Sequence, residues 1–548
     1  MKNKAPLLIA LGMMVISLTA CNYIPFFKNN GEYSYRNSSS FNESDYPVSG
    51  DVTAQKASFK YSDLIDNSVY NLSCTPSIGS PKLLVIPVWF TDSNQFIKDN
   101  SKKETVRNDI NSAYFGKNTD TRWRSVKTYY EEQSYGSLSL SGTVSDWYEC
   151  GTSYTSYAKD PASKSSGAPQ TSALVEKATD WYFDNHTNDS RRNYDADEDG
   201  YLDGVMLIYA APDYVALGKE SYTNLWAYCF WIQDPDTQSK IKPGVNAFFW
   251  ASYVSMYGSE VALSKTGTQY NSGDTSHCNL DTHTFIHEMG HMFGLEDYYD
   301  YSNYSYQPAA AFSMQDHNVG GHDPFSVFAL GWGKAYIPSG DATINLKPFS
   351  TSGEMILLSP SWNEYNSPFD EYLLLEYYTN DGLNAFDTTY RYMSGSGKKY
   401  PTGSKTPGIR LWHVDARLLY TATGAFSAKQ VTTTPNLVVS GVHQRVALMM
   451  SNTYYDGTEY SAGYCSLLGS SYADYNLLQL IRNSKTSDYR PTDMLSDSSL
   501  FKQGDSFSMS TFSRQFVNHG KLNANKDLGF TFTVNSCGSY ASITVKKI

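Results

Sequence analysis

His287 and His291 stand four residues apart, with Glu288 directly after the first, in the segment His287-Glu288-Met289-Gly290-His291. On a helix, residues at this spacing project from one face one turn apart, so both imidazoles can meet one metal ion. Glu288 then lies beside that ion, placed to hold and deprotonate a water molecule. A catalytic zinc takes three protein ligands and keeps a further position open, so a third ligand is needed. His283 continues the same stripe, but it lies eight residues from His291, roughly 12 Å along the axis, too far to share the ion with His287. The third ligand must come from beyond the helix. Gly294 can end the helix in a left-handed turn. Asp297 follows three residues later with a carboxylate that zinc accepts, and it is the expected ligand. A glutamate on a following helix is disfavoured, because no Glu occurs between Glu296 and Glu354.

Downstream, Phe312-Ser313-Met314-Gln315 can form a Met-containing turn beneath the metal, with Met314 as its central residue. Asp323-Pro324 reads as an N-cap with proline at the first helical position, opening a helix towards Gly331. A zinc helix, a glycine turn, a third ligand, a Met-turn and a closing helix make up the metzincin arrangement. Asp316, His317 and His322 follow Met314 closely. Each can be read as the third ligand, as a donor to a developing oxyanion, or as a satisfied loop residue. Tyr298 or Tyr299 offers another oxyanion donor. His413 and Asp415 sit in an apolar run, where a core or calcium role outweighs catalysis.

A second constellation is acidic. Asp195, Asp197, Asp199, Tyr201 and Asp203 occupy positions 1, 3, 5, 7 and 9 of a loop with Gly200 at position 6, the opening of an EF-hand-type calcium loop. Met206 stands where position 12 needs Glu, and a strand follows rather than a helix. The expectation is a structural Ca2+ site completed from elsewhere. The competing reading is a solvated acidic turn.

Elements must position these groups. Lys82 to Phe90 is a continuous apolar run with the look of a buried strand, and Pro87 suggests an edge position or an irregularity. Val106, Ile110, Ala113 and Tyr114 recur at helical spacing, Ser125 can cap a second helix through Tyr130, and Gln170 to His186 forms a third. Val205 to Tyr209 is another buried strand, and Asp281 or Thr282 caps the metal helix. Strands alternating with helices give α/β, here an α/β (α+β) metzincin-like zincin domain over residues 81–338. From about residue 340, short alternating runs such as Tyr372 to Glu376, Gly408 to Trp412, Phe530 to Val534 and Ala541 to Val545 predict a β-rich, sandwich-like domain over 339–548.

The remaining composition bounds the class. The 548 residues carry a net charge of −12 and no Lys/Arg-rich run in the body of the chain, which argues against a nucleic-acid partner. The aromatic share of 15%, with 45 tyrosines, fits half-buried sheet. Met1-Lys2-Asn3-Lys4 and the apolar stretch to Ala20 read as a signal peptide. Leu18-Thr19-Ala20-Cys21 resembles the bacterial lipoprotein processing box, which implies lipidation at Cys21 and removal of residues before it. Residues 22–50 then read as a flexible tether and 51–80 as an N-terminal extension. Cys74, Cys150, Cys229, Cys278, Cys465 and Cys537 fit no zinc-finger spacing, and their pairing is not readable. Nothing in the sequence fixes an oligomeric state.

Several motifs together resemble the immune inhibitor A-like bacterial zinc metallopeptidases. His287 through Asp300 is similar to their zinc signature. Ser125-Val126 through Tyr129-Tyr130, Ser134-Tyr135-Gly136, Trp147-Tyr148, the acidic loop before residues 205–209, Gly331-Trp332 and Gly408 through Asp415 also match in kind. The resemblance spans about residues 80 to 420. It implies a secreted zinc endopeptidase with His287, His291 and Asp297 as ligands, Glu288 as general base, Met314 in the Met-turn and a protein or peptide as substrate. The lipobox departs from released members, so their substrates do not transfer. Two other classes fit the bare motif: a surface adhesin or glycan-binding lipoprotein with a structural metal, and a metalloenzyme acting on a non-peptide bond.

Overall fold

The computed structural model describes residues 48–57, 73–159, 170–232, 239–257, 265–268, 280–301, 306–362, 367–392, 399–421, 428–432, 438–439, 442–443, 445–448, 452 and 474–548. The signal segment with Cys21, most of the expected tether, and Cys278 and Cys465 lie outside these residues. Among the described residues, Cys74, Cys150, Cys229 and Cys537 are free thiols. Among them, too, no helix is long and apolar enough to cross a membrane.

Strand β2 (Lys82–Trp89) is buried over seven of its eight residues, as its unbroken apolar run requires. It lies in a six-stranded sheet with β3 (Ser141–Val144), β4 (Tyr148–Glu149), β5 (Val205–Tyr209), β6 (Tyr228–Trp231) and β7 (Ala247–Ser252), in the order β3-β2-β5-β7-β6, β4 also pairing β2. All pairs are parallel except β6 with β7, which closes one edge. Pro87 is therefore not on an edge strand. It sits opposite Ile208 of β5, and its other side faces the break between β3, whose pairing ends at Val85, and β4, whose pairing begins at Val88. The missing N–H falls where no ladder bond is needed.

Helices α1 (Asn100–Phe115), α2 (Val126–Gln133) and α3 (Gln170–Asn185) follow the predicted periodicity. Ser125 caps α2 in a reciprocal box with Thr128. After the short α4 (Tyr214–Leu217) comes the site helix α5 (His283–Met292), and α6 (Pro324–Ala329) closes the layer with Asp323 as N-cap and proline in its first turn. α5 is held by its neighbours. Phe285 stacks on Tyr114 of α1 at 5.2 Å, and the Tyr130 hydroxyl of α2 donates to the Ile286 carbonyl at 2.7 Å.

The β-rich part is one nine-stranded sheet curled on itself. Its order is β17 (Leu478–Ile481), β11 (Gly408–Asp415), β10 (Glu371–Tyr378), β9 (Glu354–Leu358), β8 (Lys334–Leu346), β20 (Ala541–Lys547), β19 (Phe530–Cys537) and β18 (Ser506–Phe507). Long β8 serves both arms, with β9 along residues 334–336 and β20 along 342–346. The arms enclose a core of Leu373, Leu375, Leu411, Phe507, Phe532 and Ile543. Leu374, Trp412, Val414 and Leu480 point the other way, into the same apolar cluster as the α/β layer. Burial on both faces explains why β10 and β11 have no exposed residue. Smaller sheets join β12 (Leu418–Thr421), β13 (Ala428–Thr432) and β16 (Arg445–Leu448), and β14 (Val438–Val439) with β15 (Val442–His443).

Two segments differ from their sequence reading. Val48–Lys56, expected to straddle tether and extension, forms β1 and pairs along β8 from Ile344 to Lys334. Residues 73–79, expected in the extension, are built into the α/β layer: Thr75 N–H donates to Met292 O at 2.8 Å, and Trp332 Nε1 donates to Ser77 O at 2.6 Å.

Candidate metal centre

α5 begins without a side-chain bond from Thr282. Asp281 takes that role, accepting from the His283 N–H at 3.0 Å, while its carboxylate also pairs with Arg122 at 3.2 Å. The helix ends where Gly294 adopts φ +96°, a conformation glycine enters without a Cβ penalty. The turn returns the chain under the helix and brings Asp297 to the two imidazoles. His287 Nε2 lies 3.0 Å and His291 Nε2 3.3 Å from Asp297 Oδ1, and the two Nε2 atoms are 3.3 Å apart. Tetrahedral ligation with bonds of 2.0–2.1 Å sets ligand atoms about 3.3 Å apart. The triangle has that size.

Each ligand is oriented by its other atom. His287 Nδ1 faces the Met314 carbonyl at 2.8 Å, and His291 Nδ1 the Leu295 carbonyl at 2.7 Å. A carbonyl only accepts, so both Nδ1 atoms carry protons, and in the neutral imidazoles both Nε2 atoms present lone pairs. Tyr301 donates to Asp297 Oδ2 at 2.8 Å, while buried Oδ1 has no hydrogen-bond donor once the imidazoles are neutral. Three buried lone-pair atoms in contact repel one another unless a cation or protons lie between them. The residues fit a divalent metal. Without it, protons take its place: burial pulls His291 down, but Asp297 and Glu288 carry it up to about 9, and His287 is raised on the same balance. Burial works upward on Asp297, and the imidazoles outweigh it, holding its carboxyl far below the usual range.

Glu288 is 4% exposed, and burial raises its carboxyl against the pull of the two imidazoles. Its carbonyl accepts from the Cys229 thiol at 3.0 Å, tying this turn to edge strand β6. Beneath the helix lies Gln315, fully buried, with Nε2 3.4 Å from the His291 ring nitrogens. A Cβ on Gly290 would meet Gln315 Oε1 at 2.1 Å, so glycine at the third position between the imidazoles makes room for that side chain. Met314 is wholly buried, and its carbonyl, not its sulfur, is what meets His287.

The other candidates separate cleanly. His283 turns its Nε2 to the Asn318 carbonyl at 2.8 Å and leaves the triangle to the other three. His322 is a core residue among Tyr129, Tyr130 and Trp332, lowered to about 3 by burial. Tyr298 is buried with its hydroxyl 2.7 Å from Ser326 Oγ, away from the centre. Tyr299 stays at the centre, its ring parallel to His287 at 6.5 Å and 4.6 Å from His317. His317 is held by Asp316 at 2.6 Å and stacks on Tyr400 at 4.0 Å. His413 pairs with Glu371 at 2.8 Å and Asp415 with Arg417 at 2.7 Å, a charge network inside the curled sheet.

Sequence reasoning missed Gln315, and it missed the roof. Tyr392, from the β-rich half, packs on His283 at 4.4 Å, and Tyr400 covers His317. No local signal marks either, since both act through contacts across the whole chain.

In the acidic loop, Asp195, Asp197 and Asp199 bring carboxylate oxygens within 4.8 Å of one another. Asp195 is 7% exposed and its Oδ1 has no partner. Asp203 differs from its expected role. Its oxygens accept from the Ala196 and Lys82 N–H groups, both at 2.9 Å, so it pins the loop to β2 instead of joining the cluster. Tyr201 is buried, with its N–H on Asp199 Oδ1 at 2.8 Å.

Two imidazoles and a carboxylate converging beside a buried glutamate, at the edge of a mostly parallel sheet, define a metal-dependent hydrolase. Residues 79–315 match the family model described as immune inhibitor A peptidase M6, catalytic domain. Over that span the chain is similar to the M6 peptidases, and it is a metallopeptidase, a hydrolase acting on peptide bonds. No curated protein matches the chain at a significant level.

Proposed function

We propose that this metallopeptidase is a zinc endopeptidase of metzincin-like architecture, exported through its signal segment, lipidated at Cys21 and acting on extracellular proteins at the outer face of the membrane or after shedding. The observation that carries the reading is the triangle of His287 Nε2, His291 Nε2 and Asp297 Oδ1, with buried Glu288 beside it. Zinc in that triangle would supply Lewis acidity to water and to the scissile carbonyl. The chain does the rest. Glu288, its proton affinity raised by burial, takes a proton from the attacking water and delivers it to the leaving amine nitrogen. The Met314 and Leu295 carbonyls hold the imidazoles in the ligating tautomer. Tyr299 and His317 line the side on which the oxyanion develops.

Purified protein is expected to cleave casein in a chelator-sensitive manner, and Glu288→Gln to keep its metal while losing about 10²- to 10⁴-fold in kcat. Metal-replete protein that cuts nothing, or a Glu288→Gln variant as active as the parent, would sink the mechanism. Within the same proposal, Asp195, Asp197 and Asp199 hold a structural calcium. The support is the buried, partnerless Asp195 Oδ1 together with the approach of the three carboxylates to within 4.8 Å of one another.

A further inference from the structure

Arg391 is joined to Tyr392, whose ring lies 4.4 Å from that of His283, itself 6.2 Å from His287. These contacts place the Arg391 backbone within roughly 18 Å of the His287 ring, about five residues of extended peptide. There a groove of about 580 Å³ is lined by Asn380, Thr388, Thr389, Arg391, Thr402 and Lys405. The lining holds two cations and four neutral hydrogen-bonding side chains, and no carboxylate. The chain as a whole carries −12.

Neither cation has an ion-pair partner among the described residues, and both are exposed. Asp497 accepts from the Lys405 backbone N–H at 2.9 Å and from the Ser404 hydroxyl, so it is engaged with the backbone turn rather than with the Lys405 ammonium, and Asp381 accepts from the Ser350 and Thr379 hydroxyls. Arg410 and Arg482, by contrast, are buried and paired with Glu376 and Asp493. Among the described residues the Arg391 and Lys405 side chains therefore contribute no ion pair to the fold. What they do is give this groove two positive charges within reach of a peptide that spans the metal centre. The net charge of −12 repels an acidic polypeptide at long range, so a local positive patch would favour its docking there.

We propose that this groove receives acidic side chains of the substrate, to one side of the scissile bond, so that the enzyme prefers acidic polypeptides. The inference rests on the peptidase reading of the neighbouring centre. Arg391 presents a planar fork that matches a carboxylate, Lys405 adds a point charge, and the Thr402 hydroxyl can donate to a remaining oxygen, while the Thr388 and Thr389 hydroxyls donate to the Ala385 and Phe386 carbonyls.

The test uses the full chain and three fluorogenic peptides that share one scissile sequence and differ only in a flanking triplet: acidic, amide or basic. One exposed ion pair is worth a few-fold in binding, so reversing two should move the preference about tenfold. The acidic peptide is expected to show about tenfold higher kcat/KM than the amide peptide, mostly through KM and weakening with salt. Arg391→Glu with Lys405→Glu should abolish that advantage, bringing kcat/KM for the acidic peptide to or below that for the amide peptide. Arg391→Gln with Lys405→Gln should give an intermediate value, and the melting temperature of each variant checks folding. Equal rates on acidic and amide peptides, or a preference that survives charge reversal, overturns the proposal. If no peptide is cut, the peptidase reading has failed instead. The groove is then judged by fluorescence anisotropy on Glu288→Gln, where an acidic peptide binding no tighter than the amide one overturns it independently.

Discussion

At the scale of the residue, the metal centre is a problem of protons. His287, His291 and Asp297 can face one another only with positive charge among them, and in the metal-free protein that charge is a proton. His291 is raised to about 9 and His287 is also raised, while Asp297 is held ionised. A raised histidine stabilises the fold below its unfolded value of 6.5, and the contribution is lost as pH rises through about 9. Zinc binding at pH 7.5 should therefore release about one proton per ion, read by calorimetry in buffers of different ionisation enthalpy. Release near zero would mean that the imidazoles are already neutral. The pair and Glu288 are legible from spacing alone, because a helix fixes what four residues apart means. Asp297 is legible through Gly294. Gln315 is not, because nothing in a sequence says that a glycine's missing Cβ will be filled by a side chain 25 residues later.

At the scale of the element, local chemistry was readable wherever it was sufficient. Ser125, Asp323 and Pro324 cap the helices they suggest, because a cap needs only its own turn. Pro87 was harder, since an unneeded N–H looks the same at a sheet edge as at a break in the neighbouring strand. The acidic loop shows the limit most clearly. Its alternating carboxylates place Asp203 with the rest, yet Asp203 is spent on two backbone N–H groups, and burial raises it to about 7. Asp195 is raised as well, by burial first and then by Asp199. Raised carboxyls bind more protons folded than unfolded, so their contribution to stability falls as pH rises past their unfolded values. A bound calcium would offset that loss. Calcium should raise the melting temperature clearly at pH 7.5 and little at pH 5. A shift that is absent, or larger in acid, would count against the site.

At the scale of the molecule, the matched span ends at residue 315 but the folded unit does not. Leu374, Trp412, Val414 and Leu480 complete the core beneath α6, and Asn384 and Asp387 accept from the Gly321 and Val319 N–H groups in the loop that holds His283. Each fully buried large apolar side chain is worth about 1.5–3 kcal/mol, so losing four exceeds the margin of many domains. A chain ending at residue 338 should be insoluble or lack cooperative melting, whereas the full chain melts as one unit. A soluble, metal-binding truncation would show the halves to be independent. The β-rich character was visible in the alternating runs. That its sheet would be buried on both faces was not, because alternation tells which side chains share a face and not what covers it.

Strand β8 also has a bearing on the order of events. Thr53 of β1 lies 284 residues before its contact at Ile337, and Lys547 of β20 lies 206 residues after Asp341. Closing loops of that length costs more entropy than closing the shorter ones within the parallel sheet, so these pairings are expected to follow it. The roof over the centre, carrying Tyr392 and Tyr400, belongs to the late half. The expected order runs from hinge to clasp: the helix that bears the imidazoles settles with the parallel sheet, and a working cleft waits for sequence-distant strands to meet on β8.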